Sequence, residues 1–457
     1  MFGLFRSKEV DEQPRCLISP RMATKGTVLS GEVGAGKSTI LFQLMQQWAS
    51  ADEEVYFACT TNKPSDAEDY ERILRAAGRD PLVIRADGSF GISPFIHEVT
   101  RPGGSVRNLV SMHQDLLEVL TRSDSSRTET FWKGITEDTG LNAFSLAHLV
   151  KERPTYRNVA DIVMSIPQNP EQAASPEFAS TACGQFLDKA FAIDRERASS
   201  IADHFLRRIP SVGSKASAAA TTGAMQSIQP FISEPISSIV NRTPTHTVAE
   251  LLERDIILAL DTNTYGKNGL AMQLMLVWLL QEEVLRRTGD YPYWCLVRDE
   301  CGKTSFARRD IPASALGRQA RYMAVSAFQT LNTLVAQLGG GIEATNEAKA
   351  LYGLNVNKVM CRQGSDAETA ELNASAIGRE LKLFYGGGTQ PQQQEHKWWD
   401  VLGVGEPPNM SFSQNYHYRV EPSVFQALAA GGPEYGYVVE AIIFDGTNYY
   451  RQPFYQR

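Results

Sequence analysis

The residues Gly31-Glu32-Val33-Gly34-Ala35-Gly36-Lys37-Ser38 keep the spacing G-x-x-x-x-G-K-S, with Thr27-Val28-Leu29 before them and a helical pattern from Lys37 to about Trp48 after them. A strand that passes into a helix through such a loop leaves backbone N–H groups free to surround phosphate oxygens. Lys37 adds a charge on the β- and γ-phosphates, Ser38 offers its hydroxyl to Mg²⁺, and Thr39 continues the first helical turn. The plain alternative is a Gly-rich turn with no ligand. With every fixed position present and both flanks in place, residues 31–39 read as a nucleoside triphosphate site, with ATP and Mg²⁺ as the expected ligands.

The loop fixes the fold class as α/β, and the neighbouring pattern agrees. Val55-Tyr56-Phe57-Ala58-Cys59 is a continuous apolar run, as expected of a strand covered on both faces. A helix over Asp66–Ala77, stopped by Gly78, leads to a short strand at Leu82-Val83-Ile84. From Val106 to about Val240 the period changes to helical stripes, such as Leu109, Met112, Leu116, Leu117 and Leu120. The Ser/Ala/Thr/Gly-rich stretch Pro210 to Ala224 reads either as a flexible loop or as a small-residue helix. Strand runs return at Ile256–Leu260, Tyr293–Val297, Met323–Ala327 and Lys358–Cys361, with a helix over Leu270–Arg287 and a closing strand at Val438–Phe444. The pattern predicts three parts. These are an N-terminal extension (1–25), a discontinuous α/β core (26–105 and 246–457) and an all-helical insertion (106–245).

With 457 residues, 42% hydrophobic and 21% charged, the chain has an ordinary globular composition. Its net charge of −7 excludes a protein that coats nucleic acid with a wholly basic surface, though not one with a local basic channel. No signal peptide and no bilayer-spanning stretch is read; the best candidate, Leu270 to Leu280, is interrupted by Gln273. The start, Phe2–Phe5, reads as a frayed terminus rather than as an amphipathic tip that touches a membrane. Cys16, Cys59, Cys183, Cys295, Cys301 and Cys361 contain no C-x-x-C pair and read as reduced, buried thiols of a cytoplasmic protein. The tract Gln390–Gln394 reads as a solvated loop.

A triphosphate site needs an acidic partner at the end of a nearby apolar strand. Asp299 and Glu300 follow Tyr293–Val297 and supply it: Asp299 for the Mg²⁺ shell, Glu300 to orient or deprotonate the attacking water. The bland reading is a charged strand cap. Arg298, inside the run, predicts a strand near an edge or a subunit interface. Gln329, at the tip of the strand Met323–Ala327, is placed to touch both the γ-phosphate and the water.

Taken together, Gly31–Ser38, Asp299-Glu300, Gly317-Arg318-Gln319-Ala320-Arg321 and the strand ending in Gln329 resemble the HerA/FtsK superfamily of ring-forming motors. The closer likeness is to the type IV coupling proteins of conjugation (TraD/TraG-like). Phe131-Trp132 in the insertion, Asp366–Ala370 with Ile377-Gly378, and Arg419-Val420-Glu421-Pro422 are similar to segments of that family in the same order. The resemblance implies a RecA-like P-loop NTPase core with a mostly parallel sheet and an inserted all-α domain. It also implies a homo-hexameric ring and an arginine that completes the neighbouring subunit's site. Arg318 best matches that arginine, with Arg321 and Arg362 in reserve. Two departures stand out. The family's N-terminal transmembrane helices are missing, so any membrane docking needs a partner from the secretion apparatus. Thr60-Thr61-Asn62-Lys63-Pro64 also replaces the usual aspartate-lysine pair.

Three functions fit these readings. One is an ATP-driven translocase of DNA or nucleoprotein, one a secretion or assembly ATPase that moves protein without gripping DNA, and one a slow regulatory nucleotide switch.

Overall fold

A computed structural model describes residues 18–122, 130–388 and 409–456. Its strands are β1 (Thr27–Ser30), β2 (Val55–Thr60), β3 (Leu82–Ile84), β4 (Ile256–Leu258), β5 (Tyr293–Arg298), β6 (Tyr322–Phe328), β7 (Asn357–Met360), β8 (Arg379–Gly388), β9 (Asn409–Tyr418), β10 (Val438–Phe444) and β11 (Tyr449–Tyr455). Nine of them form one sheet in the order β11-β10-β7-β1-β6-β5-β2-β4-β3. From β7 to β3 every pairing is parallel; β10 joins β7, and β11 joins β10, antiparallel. All parallel strands therefore end at one edge of the sheet, and β1 delivers the P-loop there.

The apolar runs are explained by burial on both faces. Successive residues of a strand point to opposite sides. Phe57, Cys295, Val297 and Val325 thus join a core with Ile40, Leu44 and Trp48 of the P-loop helix (Lys37–Ala49). Ala58, Trp294, Leu296 and Ala324 join a second core with Trp278 of the helix Thr262–Arg286. That helix starts earlier than its apolar stripe. Asp261 caps it by accepting from the Thr264 N–H, and Gly266, with φ of 56°, breaks its first turns.

Between β3 and β4 every described element is helical. These helices share the second core, where Phe95, Phe144, Tyr156 and Phe231 pack ring to ring, Tyr156 on Phe231 at 4.9 Å. Buried Asp115, on the helix Val106–Leu120, fastens them to the α/β part by accepting from Arg308 (2.9 Å) and Arg309 (2.7 Å). Of the stretch left open, Ser214 to Ala224 begins the helix Ser214–Ile232, with Ala216, Ala220 and Ala224 buried at four-residue spacing, while Pro210 and Ser211 end a short helix before Gly213. A Cβ at Gly223 would lie 2.7 Å from Thr136, so the small residues permit close helix–helix approach. Phe131 and Trp132 begin the helix Thr130–Val150, but their side chains lie outside the described residues, as do Phe2–Phe5, Cys16 and Gln390–Gln394.

Two expectations need correcting. The strand carrying Arg298 is not at an edge: β5 lies between β6 and β2. Arg298 is 4% exposed and tolerated there because Asp310, on the helix Ala307–Gly317, meets its guanidinium at 2.8 and 2.9 Å. Nor does Val438–Phe444 close the sheet; β11 lies outside it. The β8–β9 ribbon was not foreseen as strands at all. No helix among the described residues is long and apolar enough to cross a membrane, and the five described cysteines are all buried and unpaired.

Candidate nucleotide site

The P-loop is shaped by its glycines. Gly34 and Gly36 take φ of 79° and 76°, in the left-handed region that side-chain-bearing residues rarely occupy. A Cβ at Gly36 would lie 2.3 Å from a methyl of Val439, and one at Gly31 would lie 2.7 Å from Cys361 Cβ. Ala35 is buried, whereas Val33 at the loop tip is 78% exposed. Glu32 ties the loop sideways. Its carboxylate accepts from Gly364 N (2.9 Å), Ser365 N (3.2 Å) and the Ser365 hydroxyl (3.2 Å), and pairs with Arg362 at 3.2 Å.

Lys37 folds back over the loop and donates to the carbonyls of Gly31 (2.6 Å) and Glu32 (3.0 Å). Burial pushes its ammonium below the usual lysine range, although Asp299, Glu300 and Glu32 pull the other way. Such an ammonium gains from anionic phosphate. Ser38 and Thr39 follow on the first helical turn, and the Ser38 hydroxyl donates to Asp299 Oδ2 at 3.2 Å. Burial raises the Asp299 carboxyl above its ordinary range, with Lys37 as the main opposing influence. A hydroxyl and a carboxylate so close together form an oxygen donor pair that fits Mg²⁺.

Asp299 is held by residues that belong to no motif. Asn62, in the loop whose role the sequence left unassigned, donates from Nδ2 to the Asp299 carbonyl at 2.6 Å. The loop is pinned in turn by Gln273, which accepts from Thr61 N (2.8 Å) and donates to Thr61 O and Leu260 O (both 2.9 Å). The visible signal was a lone glutamine in an apolar helix, since a fully buried amide needs a polar partner.

Glu300 takes φ of 53° and ψ of 54°, a left-handed conformation for a residue that is not glycine, and pairs with Lys303 at 3.4 Å. Such conformations cost about 1–2 kcal/mol and concentrate at functional sites. Gln329, just past β6, is at the same edge: its carbonyl accepts from Gly31 N (3.2 Å) and from Gln363 Nε2 (3.1 Å). The structure therefore brings Gly31–Thr39, Asp299, Glu300 and Gln329 to one place.

Arg318 is not among them. It is exposed, directly after the helix Ala307–Gly317, at the start of β6. The length of that strand, at about 3.3 Å per residue, separates it from Gln329. Arg321 is at the same far end, ion-paired with Asp290 and bonded to Tyr291 O at 2.8 Å. Only Arg362 reaches the P-loop of its own chain, where it also donates to the Tyr435 hydroxyl.

A largely parallel sheet with the loop at the tip of β1 and an acidic pair at the tip of β5, with β6 between the two strands, is the RecA-like P-loop NTPase fold. No protein-family model matches the sequence, and no curated protein matches it. Among solved structures, the unbound monoclinic form of the bacterial conjugative coupling protein TrwBdeltaN70 aligns with a TM-score of 0.60 and 13% identity, over 95% of this chain and 86% of that one. Plasmid coupling protein TrwB in complex with the non-hydrolysable ATP analogue ADPNP gives 0.60 at 14% identity, over 96% and 87%. The same protein with ADP and Mg²⁺ gives 0.58 at 12%, over 95% and 85%. The chain has the fold of a coupling-protein-like P-loop ATPase.

Proposed function

We propose that this chain is a ring-forming ATPase motor that couples ATP hydrolysis to the movement of DNA or a nucleoprotein, as in conjugative type IV secretion. The observation that carries the proposal is the extent of the coupling-protein fold. It takes in the inserted helices and the C-terminal strands as well as the sheet, over 95% of the chain.

In this reading Lys37 exchanges the carbonyls of Gly31 and Glu32 for phosphate oxygens, and the N–H groups of residues 31–39 surround the same phosphates. Ser38 and Asp299 hold Mg²⁺, which when bound offsets phosphate charge. Glu300 orients the water and takes its proton, and Gln329 positions water and γ-phosphate. Arg318 completes a neighbour's site; its place at the far end of β6 supports action in trans rather than in cis. Residues 106–245 act as an inserted unit and 1–25 as an extension of the core. The assembly is a homo-hexamer in the cytoplasm, recruited to the membrane by a partner of the secretion apparatus.

Steady-state hydrolysis with and without single- and double-stranded DNA tests the proposal. DNA is expected to raise turnover several-fold. Turnover that ignores both forms of DNA would move the assignment to a protein-export ATPase.

A further inference from the structure

β1 has two neighbours, and the hydrolytic residues use only one side. Asp299, Glu300 and Gln329 lie at the tips of β5 and β6, while β7 and then β10 lie on the other side. A nucleotide whose γ-phosphate faced Glu300 would have the side of β7 and β10 left for its ribose and base. Because β10 runs antiparallel to β7, the turn Gly431–Tyr437 that feeds it lies at the P-loop edge of the sheet. The strand that follows the turn reaches the loop itself, since Val439 lies directly over Gly36.

Two groups lie there, on the side of β1 away from Glu300 and Gln329. Arg362 follows β7 with its guanidinium fixed between Glu32 and Tyr435, 5.6 Å from the Tyr435 ring centre. Tyr437 is more telling. Its backbone is locked at both ends, its N–H donating to Gly432 O (2.8 Å) and its carbonyl accepting from Gln456 N (2.9 Å). Its φ is 60°, yet its side chain is 54% exposed and makes no ring contact among the described residues. A bulky residue in a left-handed conformation is costly, and burial of the ring does not repay it. What the turn achieves is an exposed tyrosine ring on a fixed backbone, two residues before the Val439 that meets the P-loop at Gly36.

We propose that Tyr437 is the stacking platform for the base of the bound nucleoside triphosphate. This rests on the reading of residues 31–38 as the triphosphate cradle. Aromatic stacking accepts any purine, so ATP and GTP bind alike, and the platform adds affinity for the base without touching the phosphates.

The test is calorimetric binding of Mg·ATP and of Mg·tripolyphosphate, which has the phosphates and no base. Three variants are compared with the native chain: Tyr437→Asn, which tolerates the left-handed backbone; Tyr437→Gly, which removes ring and strain together; and Tyr437→Phe, which keeps the ring. The Asn and Gly variants should bind ATP about tenfold more weakly and tripolyphosphate unchanged, and the Phe variant should match the native chain. Unchanged ATP affinity without the ring, or equal weakening of both ligands, overturns the platform. A native chain that binds neither ligand overturns the nucleotide site itself, a result distinct from failure of the platform alone.

Discussion

The Ser38 hydroxyl, on the first turn of the P-loop helix, lies 3.2 Å from a carboxylate oxygen of Asp299 at the tip of β5, so residues 261 positions apart meet at one point. The backbone behind each is fixed independently. Gly36 is pressed against Val439, and the Asp299 carbonyl is held by Asn62. A site preorganised in this way owes its geometry to the sheet rather than to the ligand.

Replacing Lys37 by alanine should abolish hydrolysis. The side chain donates to the loop carbonyls and to no other described group, so the fold should survive with a loss of about 1.5–3 kcal/mol. Turnover should drop by about 10²- to 10³-fold, in line with the removal of one charge-stabilising donor. Phosphate release and a thermal melt on the same sample check both halves. Near-native turnover would remove Lys37 from the chemistry.

Glu300→Gln should bind ATP with native affinity and fail to turn over. The amide keeps the shape of the side chain and loses the base; the half-buried pairing of Glu300 with Lys303 adds little stability. Binding and single-turnover measurements separate the two effects. Loss of binding in this variant would make Glu300 a scaffold residue.

Arg298→Met should cost about 3–5 kcal/mol, because it leaves the Asp310 carboxylate buried without its counter-charge. Denaturant unfolding reads this directly. A change below about 1 kcal/mol would mean that the pair is solvated in solution.

The P-loop and the strands β2, β3, β5 and β6 were legible because buried parallel strands are continuous apolar runs bounded by turn residues. Arg298 misled because a charge in such a run suggests an edge, and its partner Asp310 sits on the following helix, a tertiary fact. Asn62 and Gln273 carried no motif, and their roles arise from a loop and a helix brought together by the sheet. β8 and β9 were missed because a ribbon with Leu381, Leu383 and Tyr416 exposed has neither a buried run nor a clean alternation to read.

Acid should weaken the inserted helices through His113. Its ring is buried, with Nδ1 at 3.1 Å from Ser227 O and Nε2 at 3.2 Å from the Tyr156 hydroxyl, and burial lowers its pKa to about 4 from an ordinary 6.5. Between those two values the unfolded chain takes up a proton that the folded chain refuses, so stability is intact above 6.5 and falls as pH drops toward 4. The full loss is about 3 kcal/mol. Unfolding free energies at several pH values, for the native chain and for His113→Gln, should differ in slope across that window. Parallel slopes would assign the acid sensitivity to other groups.

Arg318 gives the direct measurement of whether each site is completed by a second copy of the chain. Turnover per subunit is followed over a wide dilution series with DNA present, and again with increasing fractions of Arg318→Ala mixed into native protein. A shared site predicts that turnover per subunit falls on dilution, and that the variant binds ATP, does not hydrolyse it and depresses the native chains more than in proportion to its share. Turnover per subunit that stays flat on dilution, with activity falling only in proportion to the added variant, would contradict the account and describe a self-contained ATPase.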